Sequence, residues 1–146
     1  MFKNIISPNY TGITSEDLTA IEKEYNFTFP EDLKEFYLKY NAGKLEKKII
    51  RLSGDDYLKF HCFYSIKMGY TTLEETLKII YFDDWWVKWL IPFGYDEGGN
   101  DFCFSIRDFE YGSIYYFDSE CIDEDHPENY LIRIGGNFTD FINSME

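Results

Sequence analysis

From Leu90 to Ile134 the chain runs through one strand signal after another, and none of the links between them carries a helical pattern. Asp101 to Arg107 sets Phe102, Phe104 and Ile106 on one side with a period of two. Trp89 to Gly94 precedes it, and Gly112 to Asp118 and Tyr130 to Ile134 follow, with Asp118 to Asp125 as a further segment able to pair. Gly98-Gly99 suits a tight turn with positive φ between two strands, and Gly135-Gly136 reads as a turn into a helix. Consecutive strands without crossover helices predict an antiparallel sheet and an α+β fold.

Helices flank this run. Thr14 is placed to cap a first helix, with Asp17 three residues on and Leu18, Ile21 and Tyr25 at helical spacing. Pro30 opens a second, whose stripe is Leu33, Phe36, Tyr37 and Tyr40 and whose stop is Asn41-Ala42-Gly43. A third spans Thr72 to Tyr81 with Thr71 or Thr72 as its cap, and Asn137 caps a closing one with Phe138, Phe141, Ile142 and Met145 inward. Lys48 to Leu52 and Tyr57 to Ile66 read as two more strands. The first dozen residues read as a lead-in with a turn at Pro8-Asn9. The expectation is one domain over 1–146: a mainly antiparallel mixed sheet of five to six strands against N-terminal, inserted and C-terminal helices.

The charge is lopsided. Residues 1–82 hold 12 acids and 11 bases, 83–128 hold 13 acids against Lys88 and Arg107, and 129–146 hold 2 acids and Arg133. The three nets, -1, -11 and -1, sum to the total of -13. Such a chain repels nucleic-acid phosphates and anionic membrane surfaces, and favours a basic protein partner. Cys62, Cys103 and Cys121 form no disulfide framework and read as buried free thiols of a cytosolic protein. No apolar run approaches the roughly 20 residues of a membrane span, and the N-terminus lacks a signal-peptide core.

Reactive motifs are missing. Asp118 to Asn129 fails as a calcium loop, because Asp123 stands where glycine is required and Asn129 where glutamate is. Cys121, His126, His61 and Cys62 lack zinc-ligand spacing, and no nucleophile motif occurs. His61 reads as a satisfied strand histidine. No metal, cofactor or catalytic residue is expected. Trp85, Trp86 and Trp89 crowd together so closely that one is expected at the surface, where tryptophan often anchors an interface.

Ile13 to Tyr25, then Phe29-Pro30-Glu31-Asp32-Leu33-Lys34-Glu35-Phe36-Tyr37 and Tyr40-Asn41-Ala42-Gly43, resemble the N-terminal signature of the SUKH superfamily. That superfamily includes Smi/Knr-type cell-wall regulators of fungi and many bacterial immunity proteins. Leu90 to Phe104, Gly112-Ser113-Ile114-Tyr115 and Phe138 to Ile142 are similar to its later segments, in order, while 44–82 match loosely. Ala42 stands where the family often has glycine, so a slightly different turn is expected. The resemblance implies a cytosolic antidote, an immunity protein whose partner is a cognate, basic, nuclease-like toxin domain. The rival readings are a regulatory or scaffold module of the fungal type and a small enzyme with a deep pocket. The candidate partner-binding set is Asp83, Asp84, Asp96, Glu97, Asp118, Glu120, Asp123, Glu124 and Asp125, with Trp86 as aromatic anchor.

Overall fold

The computed structural model describes residues 2–7, 10, 12–81 and 83–146. The turn expected at Pro8-Asn9 lies outside them. The elements are β1 (Ile5–Ser7), α1 (Ser15–Tyr25), α2 (Glu31–Lys39), β2 (Lys44–Leu45), β3 (Ile49–Arg51), β4 (Tyr57–Lys59), β5 (Cys62–Phe63), α3 (Leu73–Ile80), β6 (Leu90–Tyr95), β7 (Asp101–Ser105), β8 (Ile114–Phe117), β9 (Leu131–Gly135) and α4 (Phe138–Asn143). The fold is α+β. A five-stranded antiparallel sheet in the order β5-β6-β7-β8-β9 forms its centre, with separate two-stranded pairs β1-β2 and β3-β4.

Capping chemistry starts and stops the helices as the sequence indicates. The Asp17 carboxylate accepts the Thr14 N–H at 2.8 Å, and Asn26 turns left-handed at φ 57 to end α1. The Thr72 and Asn137 side chains accept the N–H groups of Glu75 and Asp140. At the end of α2, Asn41 (φ 42) and Ala42 (φ 76) are both left-handed. Asn41 is fully buried and holds this corner, donating to the Ile66 carbonyl at 2.9 Å and accepting the Ile66 N–H at 2.8 Å. That pair of bonds sustains a backbone geometry unfavourable to alanine.

Both faces of the sheet are covered. Phe102 lies 5.2 Å from Tyr116 and 6.1 Å from Phe141, and Phe104 lies 6.0 Å from Phe27, all on the helix-packed face. On the other face Trp86 stacks on Phe117 at 4.8 Å and Trp89 meets Tyr115 edge-on at 5.1 Å. Every residue of β7 is therefore buried, Asp101, Cys103 and Ser105 included. The expected one-sided alternation does not hold there.

Other expectations are corrected. The single strand read over Tyr57 to Ile66 is split: β4 pairs with β3, while β5 joins the main sheet. Phe60, 1% exposed, turns into the core between them. At Gly94 a Cβ would collide with the Phe60 ring, so this strand position needs glycine. His61 is half-exposed beside Glu97 at 3.8 Å rather than enclosed in a strand. Gly135 ends β9, and neither it nor Gly136 has positive φ. Of the cysteines only Cys103 is buried, with Cys62 half-buried and Cys121 exposed. Among the described residues no helix is long and apolar enough to cross a membrane.

Candidate protein-binding surface

Strand register brings two connections of the acidic third to one end of the sheet, while Asp108 and Glu110 lie at the other, between β7 and β8. Asp101, where β7 begins, stands opposite Phe117, where β8 ends. The β6–β7 turn at 96–100 and the 118–130 connection to β9 therefore leave the sheet side by side. Asn100 clasps them together. Its side-chain amide donates to the Tyr116 hydroxyl at 2.9 Å, and its oxygen accepts the Ser119 N–H at 3.0 Å and the Ser119 hydroxyl at 3.1 Å. Asp96 completes the clasp by accepting the Asn100 N–H at 2.9 Å and the Tyr116 hydroxyl at 2.6 Å.

Beyond the clasp the 118–130 connection folds on its own carboxylates. Asp118 accepts the Glu120 N–H and Asp123 the Asp125 N–H, each at 3.1 Å. Residues 120–129 are all exposed. From the segment before β6, Trp85 reaches toward the same end, 6.1 Å from Phe117. Asp84 is exposed and Asp83 half-buried.

The two bases of this third are consumed internally. The Lys88 ammonium donates to the Ile80, Tyr81 and Asp83 carbonyls at 3.2, 2.6 and 2.9 Å, closing the C-terminal end of α3. Arg107 donates to Glu110 through Nε at 2.9 Å and Nη2 at 2.6 Å while its guanidinium lies 3.5 Å from the Trp89 ring centre. Burial raises the Glu110 carboxyl, but its bonds from Arg107, Tyr115 and Ser105 prevail and hold it below its usual range. With both cations engaged, the exposed carboxylates face solvent largely uncompensated.

Two residues of the sequence-derived set are not surface groups of this kind. Trp86 is 4% exposed, stacked on Phe117, and its indole N–H donates to the Leu90 carbonyl at 3.0 Å. The exposed indole is Trp85, at 48%. Asp96 spends both oxygens on the clasp and shapes the surface from within. Glu97, Glu120, Asp123, Glu124 and Asp125 are exposed, and Asp118 is half-buried.

Asp101 lies beneath this end. It accepts the Tyr64 hydroxyl at 2.5 Å. Burial pushes its carboxyl up to about 7, against the opposing Tyr64 bond and with help from nearby Asp96. Burial, then Asp101, likewise push the Tyr64 phenol up. A groove of about 410 Å³ opens between β2 and β5, and neither side chain lines it. Among the described residues no group of three or more His, Cys, Asp or Glu could hold a metal ion.

Replacing Asn100 with alanine is expected to lower stability by about 2 kcal/mol, since it unmakes three side-chain bonds at a buried position. Amides over 118–130 should exchange faster, measured by hydrogen–deuterium exchange with peptide resolution. Unchanged exchange there would mean that the loop is held by something other than the clasp.

In comparison with known proteins, the model of the SMI1 / KNR4 family (SUKH-1) matches residues 12–144. No curated protein matches the chain.

Proposed function

The chain belongs to the SMI1 / KNR4 family (SUKH-1), and from that membership we propose that it is an immunity protein that binds and silences a basic, nuclease-like toxin domain in the cytosol. Membership is consistent with such a role and with a protein partner. The observation that carries the finer reading is the gathering of exposed carboxylates at one end of the sheet, with Trp85 beside them and both nearby bases occupied. A nuclease holds phosphates in a cleft lined with Lys and Arg. A rigid carboxylate array can occupy that cleft as a charge mimic and is steered into it over a long range. Trp85 supplies a rigid apolar contact of the kind that dominates interface energetics.

The test is inhibition. The chain is titrated against nuclease toxin domains encoded beside its gene, and residual nuclease activity is measured together with complex formation by size-exclusion chromatography. Stoichiometric loss of activity is expected for one of them. Full activity of all of them at excess protein, with no complex, would overturn the proposal.

A further inference from the structure

The molecule also has a cationic side. From Lys44 to Lys59 the chain carries Lys44, Lys47, Lys48, Arg51 and Lys59. Of these only Arg51 meets a carboxylate, that of Glu146 at 3.4 Å; among the described residues no carboxylate comes within 4.0 Å of the four ammonium groups. Glu46, Asp55 and Asp56 are exposed in the same stretch but pair with none of the four, so 44–59 keeps a net charge of +2 (five bases less three acids) in a chain whose total is -13.

Two of these lysines border the groove of about 410 Å³. Lys44 and Lys48 line it, Phe60 and Tyr95 are among its aromatic walls, and Tyr70 stands fully exposed at its side. Among the described residues β2 pairs with β1 alone and lies on one side of the groove; on the other lies the short β5, Cys62–Phe63, the edge strand of the main sheet, just before Ser65 bonds the Thr71 and Leu73 backbones. Lysines alone can guard an edge strand against unwanted pairing. A guarded edge needs no aromatic-walled groove behind the lysines, and this one has it.

We propose that the groove between β2 and β5 is a second binding site, which takes an extended acidic peptide segment of a protein partner as an added strand against β5, its carboxylates meeting Lys44 and Lys48. Strand addition supplies affinity through main-chain hydrogen bonds and specificity through alternate side chains. The alternation would place apolar side chains among the aromatic walls and acidic ones at the lysines. The site is opposite in charge to the carboxylate end and does not depend on the immunity reading.

The probe is a fluorescein-labelled peptide of alternating glutamate and valine, about six residues long to match a strand, followed by fluorescence anisotropy. Saturable binding is expected. The double substitution Lys44→Glu, Lys48→Glu should weaken it about tenfold or more, and N-methylation of alternate peptide amides should abolish it. Reversing Asp123, Glu124 and Asp125 should not weaken it, which separates this site from the carboxylate surface. Absence of saturable binding, equal binding of a lysine–valine peptide or of a single-stranded oligonucleotide, or indifference to the double substitution or to N-methylation would each overturn the proposal. Both lysines are at the surface, and a circular-dichroism melt confirms that the variant remains folded.

Discussion

Changing Asp123, Glu124 and Asp125 together to lysine is expected to weaken binding of a basic nuclease-like partner about a hundredfold, equivalent to about 2.8 kcal/mol. The three side chains are exposed on the connection between β8 and β9. The fold loses only the Asp123 bond to the Asp125 N–H. Isolated surface charges contribute little, roughly 0–1 kcal/mol each. At a closing interface, close opposite charges couple by about 1.5–7 kcal/mol, so the loss expected of three reversals is within reach of two or three such pairs. The substitution moves the net charge from -13 to -7, since each of three reversals adds two units. Long-range steering weakens with it, so much of the loss should appear in the association rate. The dependence of affinity on salt should flatten, because fewer charges are exchanged for counterions. Isothermal titration and stopped-flow association at low and physiological salt measure both effects. Unchanged affinity and salt slope would remove this loop from the binding surface.

Elements written in local chemistry were legible. The Thr14–Asp17 box, the Thr72 and Asn137 caps and the turn at Gly99 (φ 86) each depend on residues a few positions apart. Features set by distant partners were not. Strand β1 exists because Ile5 and Ser7 find Leu45 and Lys44, while Asn4 bonds the Lys47 backbone in both directions at 2.7 and 2.8 Å. Nothing in the first seven residues carries that signal. The two-sided burial of β7 depends on the tryptophan segment lying over Tyr115 and Phe117. Adjacent Trp85 and Trp86 are equivalent as sequence; the Leu90 carbonyl and the Phe117 ring decide which one turns inward. The acidic third was visible as composition, but the division of labour within it was not. Asp96 became a structural acceptor because register brings the Tyr116 hydroxyl to it, while Asp123 to Asp125 lie beyond the reach of the sheet.

Asp101 gives the second large effect, this time on stability. The residue is 9% exposed, and burial raises its carboxyl from the ordinary 3.8 to about 7. The unfolded chain releases this proton near 3.8, while the folded chain keeps it until about 7. Between those values the folded state binds more protons, so this group's contribution to stability is full below the unfolded value and is lost as pH rises through the folded one. Three units correspond to about 4 kcal/mol. Asp101→Asn removes the titration and keeps an oxygen to accept the Tyr64 hydroxyl. Urea unfolding of both proteins from pH 4 to pH 8 should therefore show the variant gaining about 4 kcal/mol on the parent across that range. Taking the difference between the two proteins cancels the titration of other carboxylates and the self-repulsion of a chain with a charge of -13. A flat difference would mean that Asp101 ionises like a solvated carboxylate. The site of the effect matters for binding as well. Ionising Asp101 places a buried negative charge below Asp96, so the Asn100 clasp rests on a support that weakens as pH rises past neutrality. In the parent but not in the variant, exchange of the 118–130 amides, corrected for the intrinsic pH dependence of exchange, should therefore accelerate between pH 6 and pH 8.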